Sequence, residues 1–150
     1  MKVGYAYTPE NEGFVAKANG KEMRVKFKDC LEICSAIKGM KAPKARDYLQ
    51  SVLDSKAFIP VKKAKKQGAH KPGMKASGNR PVKAVEAVLG VLNSAMSNAE
   101  FRGLDVDDCA VVSALAQRGH KVRRTRPQGK HALYNIHLTT IQIFLEEIST

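Results

Sequence analysis

The chain of 150 residues holds no apolar run approaching the ~18 residues a membrane-spanning helix needs, which excludes such a helix and a membrane partner. Its first residues, Met1-Lys2-Val3-Gly4-Tyr5, lack the apolar stretch of a secretory signal, so the sequence predicts a cytoplasmic protein. Cysteine is scarce and odd in number, at three, which argues against a disulfide scaffold. Cys30 and Cys34 stand as C-x3-C on one apolar helical face and Cys109 begins an apolar strand, so all three read as core thiols rather than metal ligands. No glycine-rich phosphate loop occurs, and Asp105, Asp107 and Asp108 lack the central glycine and distal glutamate of a calcium loop. The four histidines (His70, His120, His131, His137) have no acidic neighbour in sequence that could orient them, so no catalytic constellation emerges. An enzyme is not expected, and neither a metal nor a cofactor.

Acidic charge is also missing, but only locally. Residues 56–83 carry nine cations and no acid, and residues 117–131 carry six cations and no acid. These two stretches hold 15 of the 26 Lys and Arg residues, leaving 11 basic against 14 acidic residues elsewhere. The net charge of +12 is thus a body of about −3 bearing two concentrated cationic segments. Segregation of this kind points to contact surfaces for a polyanion.

What is present is enough for one domain spanning 1–150, since 43% of residues are apolar. Val3, Tyr5 and Tyr7 suggest a strand start followed by a loop to Gly20. Arg24-Val25-Lys26-Phe27-Lys28 alternates at period two and predicts a strand with a basic outer face. Asp29 with Glu32 fits an N-cap and capping box for a helix whose stripe is Cys30, Ile33, Cys34 and Ile37, stopped by Gly39. Pro43 suits the first turn of a second helix with Ala45, Tyr48, Leu49, Val52 and Leu53 inward. The basic loop 56–81 is punctuated by Pro60, Gly68, Pro72, Gly73, Gly78 and Pro81 and shows no sustained periodicity. Pro81 opens a third helix running to about Phe101, terminated by Gly103.

Two apolar strands follow, the first with Val112, Ala114 and Ala116 on one face and Val111 and Leu115 on the other. In the second, Ile141, Ile143 and Leu145 alternate with Thr140, Gln142 and Phe144. Pro127 and Gly129 centre a turn between them, predicting an extended hairpin whose polar middle, 117–139, protrudes. From Gln117 to Pro127 an extended strand reaches about 33 Å at ~3.3 Å per residue, against a radius of gyration of ~15 Å for a chain of this size. Such an arm has almost nothing apolar to bury in its own core and must lie against another molecule.

The candidate nucleic-acid-binding residues are the basic face Arg24, Lys26 and Lys28; Lys62, Lys63, Lys65, Lys66, His70, Lys71, Lys75, Arg80 and Lys83 of the loop; and Arg118, Lys121, Arg123, Arg124, Arg126, Lys130 and His131 of the arm. Arginine binds phosphate bidentately and stacks on bases, so three on one arm suit structured RNA. Strand alternation turns Arg124 and Arg126 one way and Arg123 the other.

Several short segments in the same order resemble the universal large-subunit ribosomal protein family L twenty-two (L seventeen in eukaryotes), in its archaeal or eukaryotic form. They are Arg24-Val25-Lys26-Phe27-Lys28, Glu32-Ile33-Cys34, Ala36-Ile37-Lys38-Gly39-Met40, Lys44-Ala45, Tyr48-Leu49, Pro81-Val82-Lys83-Ala84, Asn98-Ala99-Glu100 and Gly103-Leu104-Asp105, within about Ala18 to Glu147. The resemblance implies an α+β fold of order β-α-α-α-β-β, with three helices on one face of a three-stranded antiparallel sheet and a long hairpin. It implies binding to large-subunit ribosomal RNA, contacts with neighbouring ribosomal proteins and a hairpin tip (Arg126, Pro127, Gln128, Gly129, Lys130) lining the nascent-polypeptide exit tunnel. The tip departs from the family's usual Pro-Arg-Ala-x-Gly-Arg-Ala in lacking one arginine, and Gly78-Asn79-Arg80-Pro81 lacks the usual aromatic residue. The alternative reading is a free-standing chromatin or regulatory factor that binds nucleic acid.

Overall fold

In a computed structural model, which describes residues 4–9, 12–62, 69–72, 77–127, 129 and 132–148, each long helical stripe becomes a helix. They are α1 (Phe27–Ile37), α2 (Ala42–Leu53) and α3 (Val82–Phe101), with strands β1 (Val15–Met23), β2 (Ile59–Pro60), β3 (Gly78–Asn79), β4 (Cys109–Thr125) and β5 (Leu133–Glu147). The main sheet is antiparallel in the order β1-β5-β4, and β2 and β3 form a separate two-stranded ribbon. The α+β fold with three helices and a three-stranded sheet is as expected from the sequence.

The core forms where the helical stripes meet one face of the sheet. Ile33, Ile37, Leu49, Val85, Val88 and Leu92 from the helices lie against Ile141, Ile143 and Leu145 of β5, all without solvent exposure. Each such side chain contributes roughly 1.5–3 kcal/mol by leaving water. Pro43 lies in the first turn of α2, and Pro81 precedes α3. Gly39 ends α1 at φ +83° and donates its N–H to the Val111 carbonyl at 2.8 Å, tying the α1–α2 corner to β4.

Four local expectations are corrected. The first sheet strand is Val15–Met23, not Arg24–Lys28; residues 24–26 form the turn into α1. The residues of β1 that share a face with Leu145, Ile143 and Ile141 are Ala16, Ala18 and Gly20, too small to give an apolar signal. Their smallness has a cause, because α3 crosses there: a Cβ on Gly20 would stand 2.5 Å from Val91 Cγ2. The outer edge of β1 is covered as well, since Asn98 Nδ2 of α3 and Arg102 Nη1 at its C-cap donate to the Lys17 and Val15 carbonyls at 2.9 and 2.6 Å.

Second, the helix start differs. Lys26 occupies the N-cap of α1 and makes no side-chain capping bond; Asp29 lies within the first turn, where its charge favours the helix dipole. Glu32 is buried and accepts the Lys62 backbone N–H at 3.0 Å instead of capping α1. Third, β4 changes phase at a bulge between Val111 and Ser113. Val111, Ala114 and Ala116 therefore pair with Leu145, Ile143 and Ile141 on the helix-facing side, whereas Ser113 and Leu115 pair with Phe144 and Gln142 on the other.

Fourth, the described residues 4–9 form no strand; Val3 lies outside the described residues. They cross the outer face of the sheet, where the Tyr5 and Tyr7 rings meet Phe144 edge-on at 5.6 and 5.1 Å. The Gln142 amide accepts from Ala6 N at 3.0 Å and donates to the Gly4 carbonyl at 2.9 Å. This satisfies a buried polar side chain and covers the sheet's second face.

Candidate nucleic-acid interface

The basic loop is closed at its base rather than structureless throughout. Ile59 pairs with Asn79 and Pro60 with Gly78; Val61 N–H donates to the Ser77 carbonyl at 2.8 Å, and His70 bridges Ser77. Buried Ile59 and Val61 anchor this ribbon below the exposed Lys62. Two-residue strands carry no readable periodicity, which is why the sequence shows only a loop. Arg80 is half-buried, donating from Nη2 to the Ser55 carbonyl at 3.0 Å with its guanidinium 4.6 Å from the Phe58 ring centre. Lys71 Nζ lies 5.6 Å from the same ring. Phe58 is itself held by its carbonyl, which accepts the Tyr48 hydroxyl at 2.8 Å; burial pushes the Tyr48 pKa up and keeps that hydroxyl a donor. His70, Lys62 and Lys83 are exposed.

The arm is the outer part of the β4–β5 ribbon. Its register continues past a second bulge between Arg118 and Lys121, with Lys121 opposite His137, Val122 opposite Ile136, Arg123 opposite Asn135, Arg124 opposite Tyr134 and Thr125 opposite Leu133. Arg126 N–H closes the turn on the Ala132 carbonyl at 3.0 Å, and Gly129 takes φ +65° there. Arg118, Lys121, Arg123, Arg124 and Arg126 are all exposed. The salt bridges Lys41–Asp108, Arg46–Asp47 and Lys56–Asp54 belong to other surfaces, and among the described residues none of these five arm cations has an acidic partner. Lys63, Lys65, Lys66, Lys75, Gln128, Lys130 and His131 lie outside the described residues.

Although far apart in sequence, the two basic segments meet at the start of α1. The Arg118 guanidinium sits 5.1 Å from the Phe27 ring centre, and Thr139 Oγ1 donates to the Val25 carbonyl at 2.9 Å, rooting the arm beside exposed Arg24, Lys26 and Lys28. On the other side, Lys28, Asp29 and Glu32 share one small cleft with Ile59, Val61, Asn79 and Pro81 at the loop's base. Phe27, which takes Arg118 of the arm, and Phe58, which gathers Lys71 and Arg80 within the loop, were not singled out by charge counting. The available signal was an aromatic residue beside each cationic stretch.

The thiols belong to the interior. Burial, reinforced by the Asp29 charge, pushes the Cys30 pKa up to about 12, and burial with the nearby Cys30 does the same for Cys34. Cys109 is raised by burial first and then by Glu147, Asp105 and Asp108. Protonated buried thiols pack as small apolar groups.

The sequence model of the family described as ribosomal protein L22p/L17e matches residues 18–146. The chain is 42% identical over 149 residues to large ribosomal subunit protein uL22 of Archaeoglobus fulgidus, covering 97% of this chain and 96% of that one. It is 35% identical over 152 residues to large ribosomal subunit protein uL22 of Methanocella arvoryzae, covering 98% of each chain. The protein of the same name from Pectinaria gouldii is 37% identical over 156 residues, 95% of this chain and 81% of its own.

Proposed function

The chain belongs to the ribosomal protein L22p/L17e family, and from that premise we propose that it is a structural constituent of the large ribosomal subunit in the cytoplasm, acting as one domain over residues 1–150. Its partners are large-subunit ribosomal RNA and neighbouring ribosomal proteins, and the arm's tip faces the nascent polypeptide in the exit tunnel. The observation that carries the RNA reading is the exposed, acid-free arm rooted by Arg118 on Phe27.

The work such a protein does is electrostatic and architectural. Arginine forks on the arm neutralise phosphates that RNA folding brings close together, and they hold planar, bidentate geometry while doing so. The arm's root and the loop's base border α1 at different places, so each segment can engage a different part of the RNA. The near-neutral body supplies the base, because its helices and sheet pack one continuous core. No step requires proton transfer or a nucleophile, and the role is not enzymatic.

If half of the 15 clustered cations contact phosphate, binding to transcribed large-subunit RNA falls with salt at a log–log slope of roughly −5, using ~0.7 per contact. A slope near −1 in a filter-binding titration would overturn the reading. Co-migration with large subunits through a high-salt sucrose gradient separates this role from a free-standing nucleic-acid-binding protein, which would stay at the top.

A further inference from the structure

The arm is two-faced, and its faces differ in chemistry. In an antiparallel pair, directly opposed residues project to the same side. Val122 opposite Ile136 and Arg124 opposite Tyr134 therefore share one face. Lys121 opposite His137, Arg123 opposite Asn135, and Thr125 opposite Leu133 share the other. Within the ladder the first face is a β-branched and aromatic platform with one arginine, Arg124, and it stays open: Tyr134 is 55% exposed and Val122 38%. The second is polar and cationic along most of its length, ending near the turn in Leu133 at 69% exposed.

We infer that the Val122–Ile136–Arg124–Tyr134 face of the arm binds unstacked nucleobases, with Tyr134 as the stacking residue, while the Lys121–Arg123 face binds phosphates. The assignment rests on the RNA reading above and deepens it. A tyrosine ring open to water at this level, on the part of β5 that lies outside the core, is a surface awaiting a flat apolar partner. The charge of the arm selects which partner: with Arg118, Lys121, Arg123, Arg124 and Arg126 exposed and no acidic partner among the described residues, the surroundings it suits are polyanionic. Within a polyanion the only apolar, planar surfaces are bases. Arg124, directly across from Tyr134, sits where it can stack on the next base or take the phosphate that connects them. Only unpaired nucleotides can offer a base face in this way, so the ligand is a loop, bulge or single strand rather than a regular duplex.

The experiment compares the full-length wild type with Tyr134→Leu, Tyr134→Phe and Arg123→Gln on transcribed large-subunit RNA across a salt series. Losing one stacked base weakens binding roughly tenfold, so Tyr134→Leu loses about that factor at every salt concentration with its slope unchanged, and Tyr134→Phe stays within about twofold. Arg123→Gln instead makes the slope shallower by about 0.7. Irradiation of the wild-type complex at a wavelength absorbed by bases cross-links the Tyr134 peptide to a nucleobase. The face assignment is overturned if Tyr134→Leu, folded by circular dichroism, binds like the wild type. Cross-links from Tyr134 to protein alone in intact subunits also overturn it. A wild-type slope near −1 removes the RNA reading itself, an outcome distinct from both.

Discussion

The two halves of the β4–β5 ribbon share one backbone and one antiparallel ladder, yet they are built for opposite surroundings. From Cys109 to Gln117 and from Thr139 to Glu147 the helix-facing side chains disappear under α1 and α3, and the outer face is closed by Tyr5, Tyr7 and the Gln142 amide. From Arg118 to Thr125 and from Leu133 to Leu138 the same ladder continues with no second layer among the described residues. Hydrogen bonds cannot explain the difference, since they run along the whole ribbon. The side chains do: apolar residues let the inner half gain from burial, whereas the outer half carries charges whose burial without partners would cost several kcal/mol each. An isolated hairpin is marginal in water, so the inner half also holds the outer half in shape. The arm is thus a continuation of the core strands, anchored by Arg118 on Phe27 at its root.

The largest expected effect sharpens this contrast from the outside. Replacing Arg123, Arg124 and Arg126 together by Glu removes three charge-assisted contacts, each worth about 1.5–3 kcal/mol, so RNA affinity falls by at least about 10³-fold. Stability changes by less than about 0.5 kcal/mol, because these side chains touch no core. Filter binding measures the first and urea denaturation the second. A triple variant that unfolds would show that the arm's cations serve the fold.

The next effect tests the inner half. Ile143 is fully buried beneath the helices, and Ile143→Ala costs roughly 2–5 kcal/mol through lost transfer energy and the cavity left behind. Urea denaturation of the free protein reads this directly. At concentrations where the variant remains folded, its salt slope with RNA equals that of the wild type. A changed slope would mean that the two halves are not separable in the way their surroundings suggest.

Much of this contrast was legible in the sequence, and the reasons differ by element. The stripes of α1, α2 and α3 and the alternation in β5 were plain because each buries large residues at regular spacing, and the acid-free segments needed only counting. β1 was hidden because the crossing of α3 demands Ala16, Ala18 and Gly20 where a strand would ordinarily show β-branched residues. The faces of β4 were misread because one bulge residue, Val112, reverses the phase that strict alternation assumes. Tyr5 and Tyr7 alternate as in a strand, but their segment is held by the side chain of Gln142 rather than by a ladder. At the interface, residue charges could be read but their convergence could not. It depends on Phe27 and Glu32, whose contacts span 91 residues (Phe27 with Arg118) and 30 residues (Glu32 with Lys62) of chain.

The smallest expected effect is a null one, and it uses the thiols as reporters of the packed half. Cys109 begins β4, and Cys30 and Cys34 lie on the inner face of α1; all three are buried. For Cys30 and Cys34 the thiol moves from an ordinary value of 9.0 to about 12 in the folded protein, so both stay protonated and unreactive where an exposed cysteine begins to ionise. Alkylation by iodoacetamide at pH 8 is therefore negligible until denaturant is added, with or without the three arm substitutions. The sign of the pH effect follows from the same shift. Because the folded-state pKa lies above the unfolded one, the unfolded chain releases these protons first. Stability is unaffected below about pH 9 and declines as pH rises from there towards 12. Urea midpoints measured at pH 7, 9 and 10.5 check the trend, and rapid alkylation of the native protein at pH 8 would show that the body opens as readily as its exposed arm.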